Sequence, residues 1–337
     1  MSVGVHGGGF LQGNPSGRDV LGADDNRRMN TQASFDGAVA LTHLGLIRAR
    51  GAEAAKFLHS QLTNDFSMLG LSQVRLAGFC SAKGRLQASF VAWKPAQDEV
   101  LLMCSATVLP ATLKRLSMFV LRTACKLSDA TSELALTGLV GRPANELLGD
   151  VQVWERRDVG GASLIRLPDV NGLKRCIRVG ATSAGAEALS PTLALDSWRW
   201  LEVQSGLPTI EAATVDQFVP QMLNFELVGG VDFKKGCYPG QEIVARSQYR
   251  GTIKRRMFLF DCDHAAAAGQ EVFHSGEPSQ PAGMVANAAP QPHGSGSSLL
   301  VEVKLAALLD GSLHLGSPQG PALSRATLPY DVALEPA

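Results

Sequence analysis

The residues best suited to chemistry lie in the run Lys235-Gly236-Cys237-Tyr238-Pro239-Gly240-Gln241-Glu242. Glycines bracket Cys237, and glycine lets a backbone turn sharply. Gln241 to Gln248 reads as a short helix, so the thiol sits on a constrained turn just ahead of a helix N-terminus. Lys234 and Lys235 precede it. Nearby ammonium groups and the positive end of a helix dipole both favour the thiolate, the form that attacks, exchanges or ligates. A buried structural cysteine is the alternative and the usual fate of a free thiol; the residues alone leave the two open. Between positions 234 and 256 stand Lys234, Lys235, Arg246, Arg250, Lys254, Arg255 and Arg256 against Glu242 alone, in a chain of formal net charge zero. Most such runs are solvated faces. Around this cysteine the run also suits an anionic partner, RNA phosphates included.

The elements that must position this loop are short. Val39 to Ile47 reads as a strand, and residues 51–58 as a helix ending at the turn formers Thr63-Asn64-Asp65. Val74 to Cys80 and Arg85 to Trp93 read as a hairpin through Ser81-Ala82-Lys83-Gly84, with Gly84 supplying the positive φ of a tight turn. Val100 to Cys104, Leu134 to Val140, Ser163 to Leu167 and Cys176 to Val179 read as further strands. Residues 106–120 and 193–203 have helical spacing. Val231 to Phe233 reads as a short strand before the loop, and residues 275–298 as the longest turn-rich stretch. Paired strands with single helices, without a βαβ repeat, predict an α+β chain with helices on antiparallel sheets. The pattern changes after Arg256 to short strands, which suits a small C-terminal antiparallel β-barrel.

Composition excludes several classes. The 337 residues suit two or three domains, and 45% are hydrophobic, enough for a real core. No apolar run reaches a membrane span. Acidic Asp19, Asp24 and Asp25 argue against a transit peptide, so residues 1–32 read as a flexible, Gly-rich lead. The six cysteines form no CxxC pair and the histidines no HExxH. A locally built zinc or iron–sulfur site is thus not expected, and reduced thiols in the cytoplasm are. His6-Gly7-Gly8-Gly9 is similar to an esterase oxyanion-hole sequence, but no GxSxG elbow accompanies it. No P-loop or strand-linked GxGxxG is present.

The loop Lys235 to Glu242, with Arg246, resembles the KGCYxGQE signature of the YgfZ branch of the aminomethyltransferase-like superfamily. Phe57 to Asp65, Cys80 to Arg85, Trp198 to Pro208, and Phe218-Val219-Pro220-Gln221 with Asn224 resemble further family segments in the same order, over about residues 34–330. The resemblance implies ferredoxin-like α+β modules around a central folate pocket, spanning 33–250, followed by a barrel domain at 251–330. It implies tetrahydrofolate or a derivative as ligand, the 5-formyl form among the candidates. It also implies a role in maintaining iron–sulfur enzymes, tRNA-modifying ones included, as partners.

Carried over residue by residue, Cys237 is the functional thiol. Trp198, Gln204, Asn64, Asp65, Gln241 and Glu242 are the folate-side residues, and Lys234, Lys235, Arg246 and Arg250 the anion or partner contacts, where folate polyglutamate is one anion that fits. No metal ligand is implied. The chain departs from the pattern in three places. Leu44 stands about where some members have an aromatic wall. Gln204-Ser205-Gly206 replaces an EAG-like triplet, removing a carboxylate. No aspartate follows the hairpin turn, where the glycine-cleavage transferases have a catalytic one. A maintenance factor is therefore expected ahead of a folate-dependent one-carbon transferase, with a tRNA-binding module third.

Overall fold

A computed structural model describes residues 35–182, 191–250 and 253–333. The N-terminal lead expected at 1–32, with its His6-Gly7-Gly8-Gly9 run, lies outside them. Three antiparallel sheets carry the architecture. The first runs β1 (Gly37–Ala40), β7 (Leu134–Val140), β10 (Arg175–Ala181), β9 (Ala162–Arg166), β8 (Arg156–Val159). The second runs β3 (Val74–Cys80), β4 (Leu86–Ala96), β5 (Glu99–Ser105), β2 (Leu44–Arg50), β6 (Lys126–Asp129).

Alternation along the strands explains how the two sheets stack. Successive side chains point to opposite faces. Leu44 and Leu46 of β2 and Leu101 and Met103 of β5 join Leu136, Ile165, Ile177 and Val179 of the first sheet in one core. Ile47, Ala49, Val100 and Leu102, of opposite parity, pack instead with α1 (Ala54–Gln61) and α2 (Leu109–Ser117). On the first sheet, Leu139, Leu164 and Cys176 face α3 (Arg142–Leu148) in the same manner. Both faces of each sheet are therefore covered, and helices lie on the outsides, as expected.

The third sheet, β15 (Leu313–Leu315), β12 (Glu271–His274), β13 (Glu277–Pro290), β14 (Ser297–Lys304), β11 (Arg255–Cys262), β16 (Ser324–Ala326), curls into a half-barrel with its own apolar interior. A separate cluster joins it to the rest. Met257, Leu259, Ala286 and Leu300 of the half-barrel meet Leu76, Leu86, Val203 and Phe225. α4 (Leu195–Gln204) lies at this junction, burying Trp198 and Leu201 in one core and Val203 in the other.

Three expected elements differ. The run Val39 to Ile47 is not one strand: β1 pairs with β7 and β2 with β5, so the chain changes sheets at residues 41–43. Val231 to Phe233 forms no strand, because the Asp232 carboxylate accepts the Lys234 amide at 2.8 Å and folds the segment back on itself. Residues 277–290, expected as turns, form the 14-residue β13. Pro281 is tolerated within it because it stands opposite an irregular register at Val272 to His274. No helix among the described residues is long and apolar enough to cross a membrane.

Candidate functional site

Two adjoining cavities lie where the sheets, α4 and the half-barrel meet. The larger, about 330 Å³, mixes apolar walls with the polar side chains of His43, Thr107, Arg199, Glu211 and Asn287. The smaller, about 60 Å³, runs between the first two sheets and is mostly apolar. Leu44, Leu207, Thr209 and Glu202 border both.

Glu202 is the carboxylate at this seam. Residues four apart on a helix are neighbours, so Trp198 lies one turn before it on α4. The indole Nε1–H donates to Glu202 Oε1 at 2.8 Å. His43 Nε2 contacts Oε2 at 2.9 Å, with Nε2 carrying the proton that a carboxylate requires. One lone pair on each oxygen remains for another donor. Trp198 itself is fully buried and lines neither cavity. It presses against Gly138, where an added Cβ would come within 2.7 Å of the indole. The expected aromatic wall is therefore a buried brace for Glu202. Gln204 does not line either cavity; two residues on a helix turn a side chain by about 200°. The carboxylate expected to be missing from this helix is supplied two positions earlier.

An aromatic side chain does face the smaller cavity, that of Trp154. Its φ of 64° lies in the left-handed region, an outlier for a bulky residue. Arg175 borders the same cavity. It is 1% exposed, and its Nε–H donates to Pro168 O at 3.0 Å. Its Nη1 has no partner among the described residues. Burial pushes the guanidinium down to about 10, against the opposing pull of Glu202 and Asp169.

The thiol loop stands apart from both cavities, whose walls include none of residues 234–242. It is built on the turn Thr63-Asn64-Asp65. Thr63 O accepts the Asp232 amide at 2.9 Å, and its hydroxyl bridges the Gly78 amide and Gly230 O. The Asn64 amide donates to Leu76 O and Gly229 O at 2.7 and 2.8 Å. Asp65 accepts from the Ser67 hydroxyl and amide and contacts His59 Nδ1 at 2.9 Å. Burial alone would raise its carboxyl. Hydrogen bonds from the Ser67 side chain, the Met68 and Ser67 amides and His59 outweigh that and hold it at about 2. Asn64 and Asp65, expected beside folate, thus lie beneath the thiol loop with their side chains engaged.

Lys235 is likewise internal. Its ammonium donates to His59 O and to Leu62 O at 2.8 Å, and lies 4.8 Å from the Tyr238 ring centre. Burial pushes it down to about 8, against the pull of Asp65, Asp232 and Cys237. Gly240, with φ 80°, starts α5 (Gln241–Tyr249), where a Cβ would sit 2.3 Å from Ser81 O and 2.7 Å from Gly84 Cα. The hairpin turn and the loop therefore meet glycine to glycine. Cys237 is exposed, whereas Cys80, Cys104, Cys176 and Cys262 are buried and Cys125 half-buried. Burial raises the Cys80, Cys104 and Cys176 thiols to about 12. Gln241 and Glu242 sit on the first turn of α5, away from the cavities.

The basic run divides. Lys235 is buried, Arg255 pairs with Glu302, and Arg256 pairs with Glu226, whose side chain is shielded from solvent. Lys234, Arg246, Arg250 and Lys254 are exposed. Sequence reasoning placed Cys237 on a constrained turn and left open whether it is buried, which the structure answers with an exposed thiol; it missed Glu202, Trp154, Arg175 and the pairing of His59 with Asp65.

Comparison with known proteins agrees with this architecture. The model of the family described as GCVT N-terminal domain matches residues 29–177. The tRNA-modifying protein YgfZ of Colwellia psychrerythraea is 32% identical over 66% of this chain and 71% of its own length. That of Edwardsiella ictaluri is 32% identical over 63% and 67%. An uncharacterized Haemophilus influenzae protein is 28% identical over 69% and 77%. The crystal structure of glycine cleavage system aminomethyltransferase T from Bartonella henselae superposes with a TM-score of 0.71, covering 90% of this chain and 89% of that one at 16% identity. The fold is the aminomethyltransferase fold.

Proposed function

We infer the function from one premise: the chain belongs to the YgfZ family. We propose that it is a folate-binding protein that supports the assembly or repair of iron–sulfur enzymes, tRNA-modifying ones among them. In this reading two separated sites share the work. Tetrahydrofolate or a derivative, such as the 5-formyl form, binds in the adjoining cavities, and Cys237 acts at the surface on a partner.

One observation carries the folate half of the reading. A carboxylate, Glu202, is held by Trp198 and His43 at the seam of two cavities, with free acceptor capacity. A pterin presents a flat face and an amide-like edge of adjacent N–H groups. Apolar walls such as Leu44 and Trp154 suit the face, and a carboxylate suits the edge. The larger cavity is within the usual size range of small-molecule pockets. Bound folate would supply a carrier for one-carbon units. The residues of this chain bind it, orient it and shield it from water.

The thiol half rests on exposure. Cys237 is the exposed cysteine among the described residues, on a loop braced by Lys235 and the Thr63–Asp65 turn. Its distance from the cavity walls favours action on a partner macromolecule over attack on a one-carbon unit inside. A cluster held by four thiolates needs more than one cysteine. An iron–sulfur cluster is therefore the partner's cargo, met by one thiolate from this chain. The relatives' name, tRNA-modifying protein, supports tRNA modification as the setting.

A direct tRNA contact is a second reading, favoured by exposed Lys234, Arg246 and Arg250 around the loop. Retardation of tRNA that weakens steeply with salt would support it; none at low ionic strength would remove it. The main reading is tested in cells lacking the protein, by the activity of an iron–sulfur tRNA-modifying enzyme. Cys237→Ala is expected to fold normally and fail to restore that activity. Full restoration would sink the role of the thiol.

A further inference from the structure

Arg175 occupies a position that packing alone does not explain. On β10 the inward parity belongs to Arg175, Ile177 and Val179, the last two ordinary core residues. A guanidinium 1% exposed at such a place needs acceptors for its N–H groups. Nε has Pro168 O, and the charge lies 5.8 Å from the centre of the Trp198 ring. Nη1 has no acceptor among the described residues, and Arg175 borders the smaller cavity. Glu202 borders the same cavity, too far for a direct ion pair. The cavity therefore presents a donor and an acceptor, separately braced, on walls that are otherwise largely apolar.

We propose that Arg175 is the specificity-determining donor for the ring oxygen of the ligand, so that the cavity selects 4-oxo over 4-amino pteridines. This rests on the folate reading above. The 2-amino-4-oxo edge of a pterin carries N–H donors beside a carbonyl acceptor. Glu202 complements the donors and Arg175 the carbonyl. In a 2,4-diamino ring the carbonyl is replaced by an amino group, which sets a donor against a buried guanidinium and leaves Nη1 without a partner, and N3 loses the proton it would give to Glu202. Sites built around a buried hydrogen-bonding group reject analogues that lack its complement. Burial also weakens the guanidinium's hold on its proton, against the pull of Glu202; an acceptor at Nη1 would restore that hold.

The test is calorimetric titration of the full chain with tetrahydrofolate and with its 4-amino-4-deoxy counterpart, which differ in the C4 substituent and, with it, in the N3 proton that faces Glu202. The wild type is expected to prefer the 4-oxo compound by at least about tenfold, the worth of one charge-assisted hydrogen bond. Arg175→Met, checked for folding by circular dichroism, is expected to lower that preference by about tenfold, leaving only the share that N3–H gives through Glu202. Equal affinity of the wild type for the two compounds overturns the inference, as does an unchanged preference in the variant. An unchanged preference in the variant is also the result if Nη1 serves only a buried water. Absence of tetrahydrofolate binding by the wild type is a separate failure, that of the folate reading itself.

Discussion

Glu202 takes its place in the cavity from Trp198, four residues earlier, and from His43 on the turn between β1 and β2. Replacing Trp198 with Phe keeps most of the ring and removes the N–H. Folate affinity is expected to fall about three- to tenfold, with stability changed by about 1 kcal/mol, measured by calorimetry and urea unfolding. A large loss of stability with unchanged affinity would make Trp198 a core residue only. Asp65 gives a second test at this scale. Its folded-state value of about 2 lies below the ordinary 3.8, so it contributes stability above about pH 4 that is lost as pH falls toward 2. Asp65→Asn is expected to remove that segment of the acid-unfolding curve and leave the neutral region less stable throughout. These roles were only partly legible in the sequence. The spacing of Trp198 and Glu202 was available, but the resemblance drew the reading to Gln204, on another face of the helix. Arg175 carried a signal too, a charge at the inward parity of an apolar strand, which burial made visible.

The elements were more legible than their partners. Val74 to Cys80 and Leu134 to Val140 stand as strands with the bounds their patterns give, because each is an apolar run closed by turn residues. The change of sheet at residues 41–43 was hidden, since an unbroken apolar run fits one strand as well as two. Trp154 lies in a loop without periodicity, so nothing placed its ring in the cavity. The junction of the hairpin turn with the thiol loop was also invisible in the chain, as Ser81 and Gly240 lie far apart in sequence. Gly240→Ala tests it. Its φ of 80° and the 2.3 Å approach to Ser81 O leave no room for a Cβ. A loss of about 1–3 kcal/mol is expected by urea unfolding, together with faster alkylation or oxidation changes at Cys237 as the loop shifts. A neutral substitution would mean that the two turns are not held together.

At the scale of the molecule, the two stacked sheets and the half-barrel enclose a cavity at their junction and carry a thiol on the outside. Nothing on the walls of the cavities comes from the loop, and nothing on the loop is needed to close them. The proposed division of labour follows from this separation, and it makes ligand binding and thiol chemistry independently removable. The most direct measurement is the tetrahydrofolate affinity of three proteins: wild type, Glu202→Gln and Cys237→Ala. Binding by the wild type, a loss of about tenfold or more in Glu202→Gln, and wild-type affinity in Cys237→Ala are expected. A wild type that does not bind, or a Cys237→Ala that weakens as much as Glu202→Gln, would contradict the account.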